Sequence, residues 1–146
     1  MNYKDYRLED SLGFIVSVAG KTMNQRLFQN FKLAGYEVTP EQWQVLVQLW
    51  NREERSQYEI SVSTCRDQTS TSRLMDTLVK RGYIERKDDP ADRRIKLIIL
   101  TARGKELQKS LIELAQQTLL ESTAGISKDE LKTATEVLKK ITANLQ

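Results

Sequence analysis

The chain has 146 residues, a formal net charge of +3, 39% hydrophobic and 29% charged residues, and ten aromatic side chains in all (two Trp, five Tyr, three Phe). That is enough length and apolar content for one domain with its own core, and it argues against disorder. Histidine is absent and the six glycines are scattered singly, which excludes Ser-His-Asp triads, Cys-His dyads, HExxH and Cys/His zinc sites, and Gly-rich phosphate loops.

In chain order, the first apolar stripe is Leu8, Leu12, Ile15, Ala19, Met23, Leu27, Phe28 and Phe31. Its steps of three and four predict a long helix, with Gly35 as a left-handed stop. At about 1.5 Å per residue such a helix outspans a small core, so part of its stripe is expected to meet a partner chain. Thr39-Pro40-Glu41-Gln42 reads as a capping box opening a second helix, with Trp43, Leu46, Val47 and Trp50 inward. Ser56-Gln57-Tyr58-Glu59 is a second box opening a short helix through Ile60 and Val62, with a turn near Ser63–Arg66.

Asp67 then caps a helix over about 68–81, with Leu74 and Leu78 inward, Met75 as a further inward candidate, and Gln68, Thr69, Ser70, Thr71, Ser72 and Arg73 displayed at its start. Poor helix formers crowded into a first turn require a reason. Hydroxyls, an amide and an Arg at a helix N-terminus suit phosphate oxygens and base edges. Gly82 ends the helix, and Tyr83–Lys87 and Ile95–Leu100 read as two strands packing Ile84, Leu97 and Ile99 inward around the loop Asp88–Arg94. Within that loop, Asp92 is two residues from Arg94 and can hold its guanidinium in one orientation. A preoriented Arg at a hairpin tip suits a narrow, negative minor groove. Residues 73–105 carry ten Lys and Arg against five Asp and Glu, whereas the whole chain nets only +3. The positive field lies where a polyanion would dock.

Thr101 caps the next helix, with Leu107, Leu111, Leu114 and Thr118 along one stripe. After Ala124-Gly125, the box Ser127–Glu130 opens a last helix whose Leu131, Ala134, Leu138, Ile141 and Leu145 form an a/d seam. That seam and the overhanging first helix together favour an interwoven homodimer. No run approaches the roughly 18 apolar residues of a membrane span, and MNYKDYRLED lacks a signal-peptide pattern. The single Cys65 cannot form an internal disulfide and is expected to be a small buried residue.

The stretch from about 60 to 107 resembles the MarR (multiple antibiotic resistance regulator) family. The matching residues are Thr69, Ser70, Ser72, Arg73, Leu74, Leu78, Gly82, Ile84, Arg86, Asp92, Arg94, Leu100, Thr101 and Gly104. Three features depart from the family pattern. Thr71 stands where Val is more usual, and Ser61–Cys65 replaces an Ala-rich, Gly-ended stretch. The first helix also lacks the cysteine of the peroxide-sensing branch.

The resemblance implies a mainly α fold with a small β-hairpin: one domain over 1–146, with a winged helix-turn-helix lobe at 39–101 and dimerisation helices at 1–35 and 102–146. It implies a cytoplasmic regulator, commonly a repressor, that binds double-stranded DNA as a homodimer and is released by a small aromatic or phenolic effector or by oxidation. Thr69, Ser70, Ser72 and Arg73 would contact DNA from the recognition helix, with Arg94, held by Asp92, at the wing tip. Exposure and charge add Gln68, Arg93 and Lys96. No catalytic residue, metal or cofactor is expected, and the chain does not read as an enzyme. The alternatives are a thiol switch at Cys65 or a winged helix that grips protein without binding DNA.

Overall fold

The computed structural model describes residues 3–146. The predicted dimerisation segment 1–35 begins at Met1, and Met1 and Asn2 lie outside the described residues. Two short 3-10 turns (Tyr3–Asp5 and Leu8–Asp10) lead into helix α1 (Leu12–Leu33), followed by α2 (Pro40–Asn51), strand β1 (Glu54–Ser56) and α3 (Gln57–Ser63). Then come α4 (Gln68–Lys80), strands β2 (Ile84–Asp88) and β3 (Lys96–Leu100), and helices α5 (Ala102–Glu106), α6 (Gln108–Ser122) and α7 (Lys128–Leu145).

All three capping boxes form. Thr39, Ser56 and Ser127 accept from the backbone N–H three residues on, while Gln42, Glu59 and Glu130 reach back to the capping residue's N–H. Each box satisfies two amides that the helix itself leaves unpaired. The Ser56 N–H holds the Glu59 carboxyl below its ordinary range, and the Ser127 hydroxyl, followed by the Ser127 N–H, does the same for Glu130.

Three helices end in the same Schellman geometry. Tyr36 N–H donates to Phe31 O at 2.9 Å, Arg66 N–H to Ser61 O at 2.9 Å, and Tyr83 N–H to Leu78 O at 3.1 Å. The left-handed residue is Gly35 (φ 87°) after α1 and Gly82 (φ 73°) after α4, but Cys65 (φ 53°) after α3. Cys65 is exposed there, which corrects the expectation of burial: it occupies a turn, not the core. A Cβ in the left-handed region costs on the order of 1–2 kcal/mol, partly offset by the extra unfolded-state entropy of Gly. Cys65→Gly should therefore stabilise the protein by about 0.5–1 kcal/mol in urea denaturation. A loss of stability would show that the thiol contributes a contact.

The core gathers Phe31, Val38, Val45, Leu46, Leu49, Ile60, Met75, Leu78, Ile84, Ile98, Leu100 and Leu111. On α2 the buried stripe is Gln42, Val45, Leu46 and Leu49, turned one position from the predicted one. Trp43, Val47 and Trp50 are half-buried instead and face α6. Trp43 sits between Phe31 and Trp50, its ring centroid 5.6 Å from each, tilted against Phe31 and edge-to-face with Trp50.

The sheet has the order β1-β3-β2, all antiparallel, so the hairpin gains a third strand not anticipated from the sequence. Its inward face also differs from expectation. Ile84 pairs with Leu100, and Arg86 with Ile98, so Ile84, Ile98 and Leu100 face the core. Leu97 and Ile99 lie on the other face, beside Lys87 and Glu54, which pair at 2.7 Å across β3; Leu97 is buried there as expected, though outside the main core cluster, and Ile99 is half-buried. The helix predicted to run on from Thr101 is divided at Leu107, although Leu107 keeps helical dihedrals (φ −69°, ψ −22°).

Of the predicted α1 stripe, only Leu27 and Phe31 are buried; Leu8, Leu12, Ile15, Ala19, Met23 and Phe28 are exposed. Helix α7 buries no residue. Between α1 and α6, Asn30 Nδ2 donates to Thr118 Oγ1 at 2.8 Å, and Arg26 pairs with Glu121 at 2.6 Å. No helix among the described residues is long and apolar enough to cross a membrane.

Candidate nucleic-acid interface

The interface is built on α4. Asp67 caps it, accepting from Ser70 N–H and Ser70 Oγ at 2.8 Å each. Those bonds hold its carboxyl below the usual range. Thr71, Met75 and Leu78 form the buried face. Thr71 is thus not displayed, as the sequence had suggested. Its hydroxyl is satisfied by Asp67 O at 2.9 Å, which lets a polar residue occupy an apolar site.

Opposite that face, Thr69, Arg73, Asp76 and Lys80 are exposed at intervals of three and four, one solvent-facing row. The Arg73 and Lys80 side chains carry no hydrogen bond or ion pair among the described residues. Ser70 is exposed with its hydroxyl committed to Asp67. Ser72 is half-buried at the side of the helix. Gln68 is exposed, but its Nε2 donates to the buried Ser61 Oγ at 3.0 Å, tying the start of α4 to α3.

The wing is organised by two aspartates. Asp89 Oδ1 accepts from Ala91 N–H at 2.7 Å, shaping the turn at Pro90. Asp92 takes three bonds from one residue: Arg94 N–H and Nε at 3.0 Å and Nη2 at 2.9 Å. The arginine bonds hold the Asp92 carboxyl down, and the carboxylate holds the Arg94 guanidinium up. Even so, the Arg94 side chain is 90% exposed. It is oriented by its partner yet free to meet a ligand. Arg93 beside it is exposed and unpaired among the described residues, while Lys96 is paired with Asp88.

A cavity of about 210 Å³ lined by Gln57, Tyr58, Gln68, Arg94, Ile95 and Lys96 brings the wing beside the first turns of α3 and α4. The predicted residues therefore fall on two adjoining surfaces, one helical and one looped. What the sequence did not disclose is the tie between them. Arg86 on β2 donates to Gln57 Oε1 at 3.2 Å and to Ser72 O at 2.9 Å, and pairs with Asp76.

At the wing's base, Thr101 Oγ1 donates to Gly82 O at 2.6 Å and accepts from Gly104 N–H at 3.0 Å. Trp50 Nε1 reaches Gly104 O at 3.1 Å. The wing is thereby fixed to α2 and α5 as well as to its own sheet.

A helix pair joined by a tight turn, followed by a hairpin set against its second helix, is a winged helix-turn-helix. The MarR family profile matches residues 38–96. The HTH-type transcriptional regulator PrsX of Escherichia coli is 33% identical over 127 residues, a match spanning 84% of this chain and 76% of PrsX. A mutant MarR from E. coli complexed with operator DNA superposes with a TM-score of 0.83 at 25% identity, covering 89% of this chain and 92% of that one. Bordetella bronchiseptica BpsR, whose DNA binding is regulated by 6-hydroxynicotinic acid, has the same fold: TM-score 0.85, 23% identity, 94% of this chain and 96% of that one. The chain belongs to the MarR family and is a DNA-binding transcriptional regulator, not an enzyme.

Proposed function

We propose that the protein is a homodimeric repressor that binds a pseudo-palindromic operator and is released from it by a small aromatic or phenolic effector. The observation that carries the reading is the exposed, carboxylate-oriented guanidinium of Arg94 beside a helix whose outer row presents Thr69 and Arg73, the latter unpaired among the described residues. Arg73, with Gln68, Thr69, Ser70 and Ser72, would read the major groove and its phosphates. Arg94, set by Asp92 and flanked by Arg93 and Lys96, would enter the adjacent minor groove.

The partner subunit would cover two unpartnered apolar faces. One is Leu131, Leu138 and Ile141 on α7, where Leu138 is exposed and the other two are half-buried; the other is Leu12, Ile15 and Val16 on α1, these three each at least 38% exposed. Helices 1–35 and 102–146 would then form the dimer base, and 39–101 the DNA-binding lobe. Such a regulator works in the cytoplasm, where its operator is.

The effector would occupy the cavity of about 250 Å³ between α2 and α6, lined by Trp43, Val47, Trp50, Ile112, Ala115 and Leu119. That space suits a single ring system more than a drug-sized ligand. It adjoins Trp50, whose indole bonds the backbone at the foot of the wing. BpsR, a protein of this fold whose DNA binding responds to a heteroaromatic acid, supports the idea.

Selection from a random duplex pool tests the whole reading. The expected product is an inverted repeat with half-site centres roughly 10 bp apart. An aromatic compound that releases the protein from this duplex should also change the fluorescence of Trp43 and Trp50, the only tryptophans in the chain. No enriched duplex would sink the repressor reading; release without any tryptophan signal would move the effector elsewhere.

A further inference from the structure

We propose that Arg86 is a positioning residue for two-groove readout: it never touches DNA, and it fixes the wing against the recognition helix so that Arg94 and Arg73 engage one site together. The proposal rests on the DNA-binding reading above and deepens it. Three observations carry it.

First, the partners of Arg86 lie on two other elements. Its Nε donates to Gln57 Oε1 on α3 at 3.2 Å, its Nη2 to Ser72 O on α4 at 2.9 Å, and its Nη1 to the Asp76 carboxylate. All three guanidinium nitrogens are therefore committed, in a fork that the planar group holds rigidly.

Second, the tie is placed where the wing would otherwise pivot. Ile84, 1% exposed, anchors β2 in the core. From there β2 runs outward to Asp88, where the loop begins, and Arg86 is the one residue between them that faces α4. Pairing of β3 with β1 and the core contacts of Ile84 and Ile98 hold the base of the hairpin, and Arg86 is the side chain that ties β2 to α4 by hydrogen bonds. At about 3.3 Å per residue, a small tilt at Arg86 grows along the arm to Arg94.

Third, Asp76 belongs to the exposed row of α4 with Arg73, and its side chain is 62% exposed. A free carboxylate there would repel the phosphates that its neighbours attract. Pairing with Arg86 cancels that charge without removing the residue. The Arg86 side chain is only 25% exposed, against 90% for Arg94. It faces inward as a brace, whereas Arg94 faces outward as a reader.

The test is a pair of double-mutant cycles on the selected operator, in purified full-length protein whose folding is checked by circular dichroism and whose active fraction is titrated. In the wild-type background, Arg94→Ala and Arg73→Ala should each weaken binding at least about fivefold. In the Arg86→Gln background, Arg94→Ala should cost less than about twofold, because the wing no longer delivers that guanidinium. Arg73→Ala should keep its full cost.

Arg86→Lys keeps the charge and the aliphatic stem but loses the fork. It should show the same loss of coupling in milder form, and it carries the test if Arg86→Gln does not fold. Full additivity of Arg94→Ala with both Arg86 variants would overturn the proposal, since it would make Arg86 a direct contact or a bystander. Loss of the Arg73→Ala cost as well would also overturn it, by making Arg86 a general requirement for the lobe. If the wild-type protein itself binds no duplex, the DNA-binding reading fails before the brace is reached.

Discussion

Gly104→Ala is expected to destabilise the protein by about 3 kcal/mol or more, at the upper end of what overpacking a core costs. A Cβ at residue 104 would lie 2.1 Å from Tyr83 O and 2.9 Å from Leu100 Cδ2. The side chain could shift, but the carbonyl could not. Tyr83 O is held by Thr101 N–H at 3.1 Å, and Gly104 itself is held through both its N–H and its C=O. Relief would require α5 to move off the hairpin, breaking the Thr101 and Trp50 bonds together. Urea denaturation at one fixed protein concentration measures the change, since any self-association would make stability depend on concentration. A variant within about 0.5 kcal/mol of wild type, the usual range for a harmless surface change, would mean that α5 is not packed as described.

The Leu-Thr-x-x-Gly pattern thus acquires a physical reason. Leu100 fills the core, Thr101 caps α5 while bonding the residue that ends α4, and Gly104 lets the helix touch the strand. One short motif joins α4, the hairpin and the helix that follows.

Arg94→Ala should weaken operator binding by about 1–3 kcal/mol, the range for a good groove contact. Oligomeric state should be unchanged, because the Arg94 side chain is 90% exposed and, among the described residues, bonds only Asp92 in the same loop. Asp92→Ala should weaken binding in the same direction, though by less. The guanidinium would survive, but it would have to be ordered at the moment of binding instead of beforehand. Fluorescence anisotropy with a labelled operator reads both. Unchanged affinity in Arg94→Ala would remove the wing from the interface.

Much of this arrangement is legible in the sequence because it is set by local chemistry. Thr39 with Gln42, Ser56 with Glu59, and Ser127 with Glu130 are three residues apart, and each box closes within one helical turn. Asp92 and Arg94 share a tight loop, so their bond needs no distant support. The overhang of α1 follows from length alone.

Where the sequence misled, the deciding neighbours are far away in the chain. Leu97-Ile98-Ile99-Leu100 is an unbroken apolar run with no alternation, so periodicity could not choose its inward face. That choice falls to Ile84 and to the helices packed on the sheet. Strand β1 is three residues long, too short for any pattern, and exists because β3 offers it a free edge. Trp43 and Trp50 carry the apolar character of a core stripe, yet α2 buries the adjacent row.

Cys65 misled for a different reason. Its type suggests burial, but the left-handed turn in which Gly35 and Gly82 serve the other helices requires only a position, and here a cysteine fills it. Arg86 matched a family pattern without revealing its purpose, because its partners are 10 to 29 residues away.

The central claim is that the exposed cations of α4 and the wing neutralise DNA phosphates. Equilibrium binding to the selected operator, titrated from low to physiological salt, tests it most directly. A protein contacting roughly 6–10 phosphates should lose about 10³–10⁵ in affinity between 50 and 200 mM salt. Arg73→Ala should lie below wild type throughout, with a shallower slope. A flat titration, or an affinity indifferent to both Arg73 and Arg94, would contradict the account.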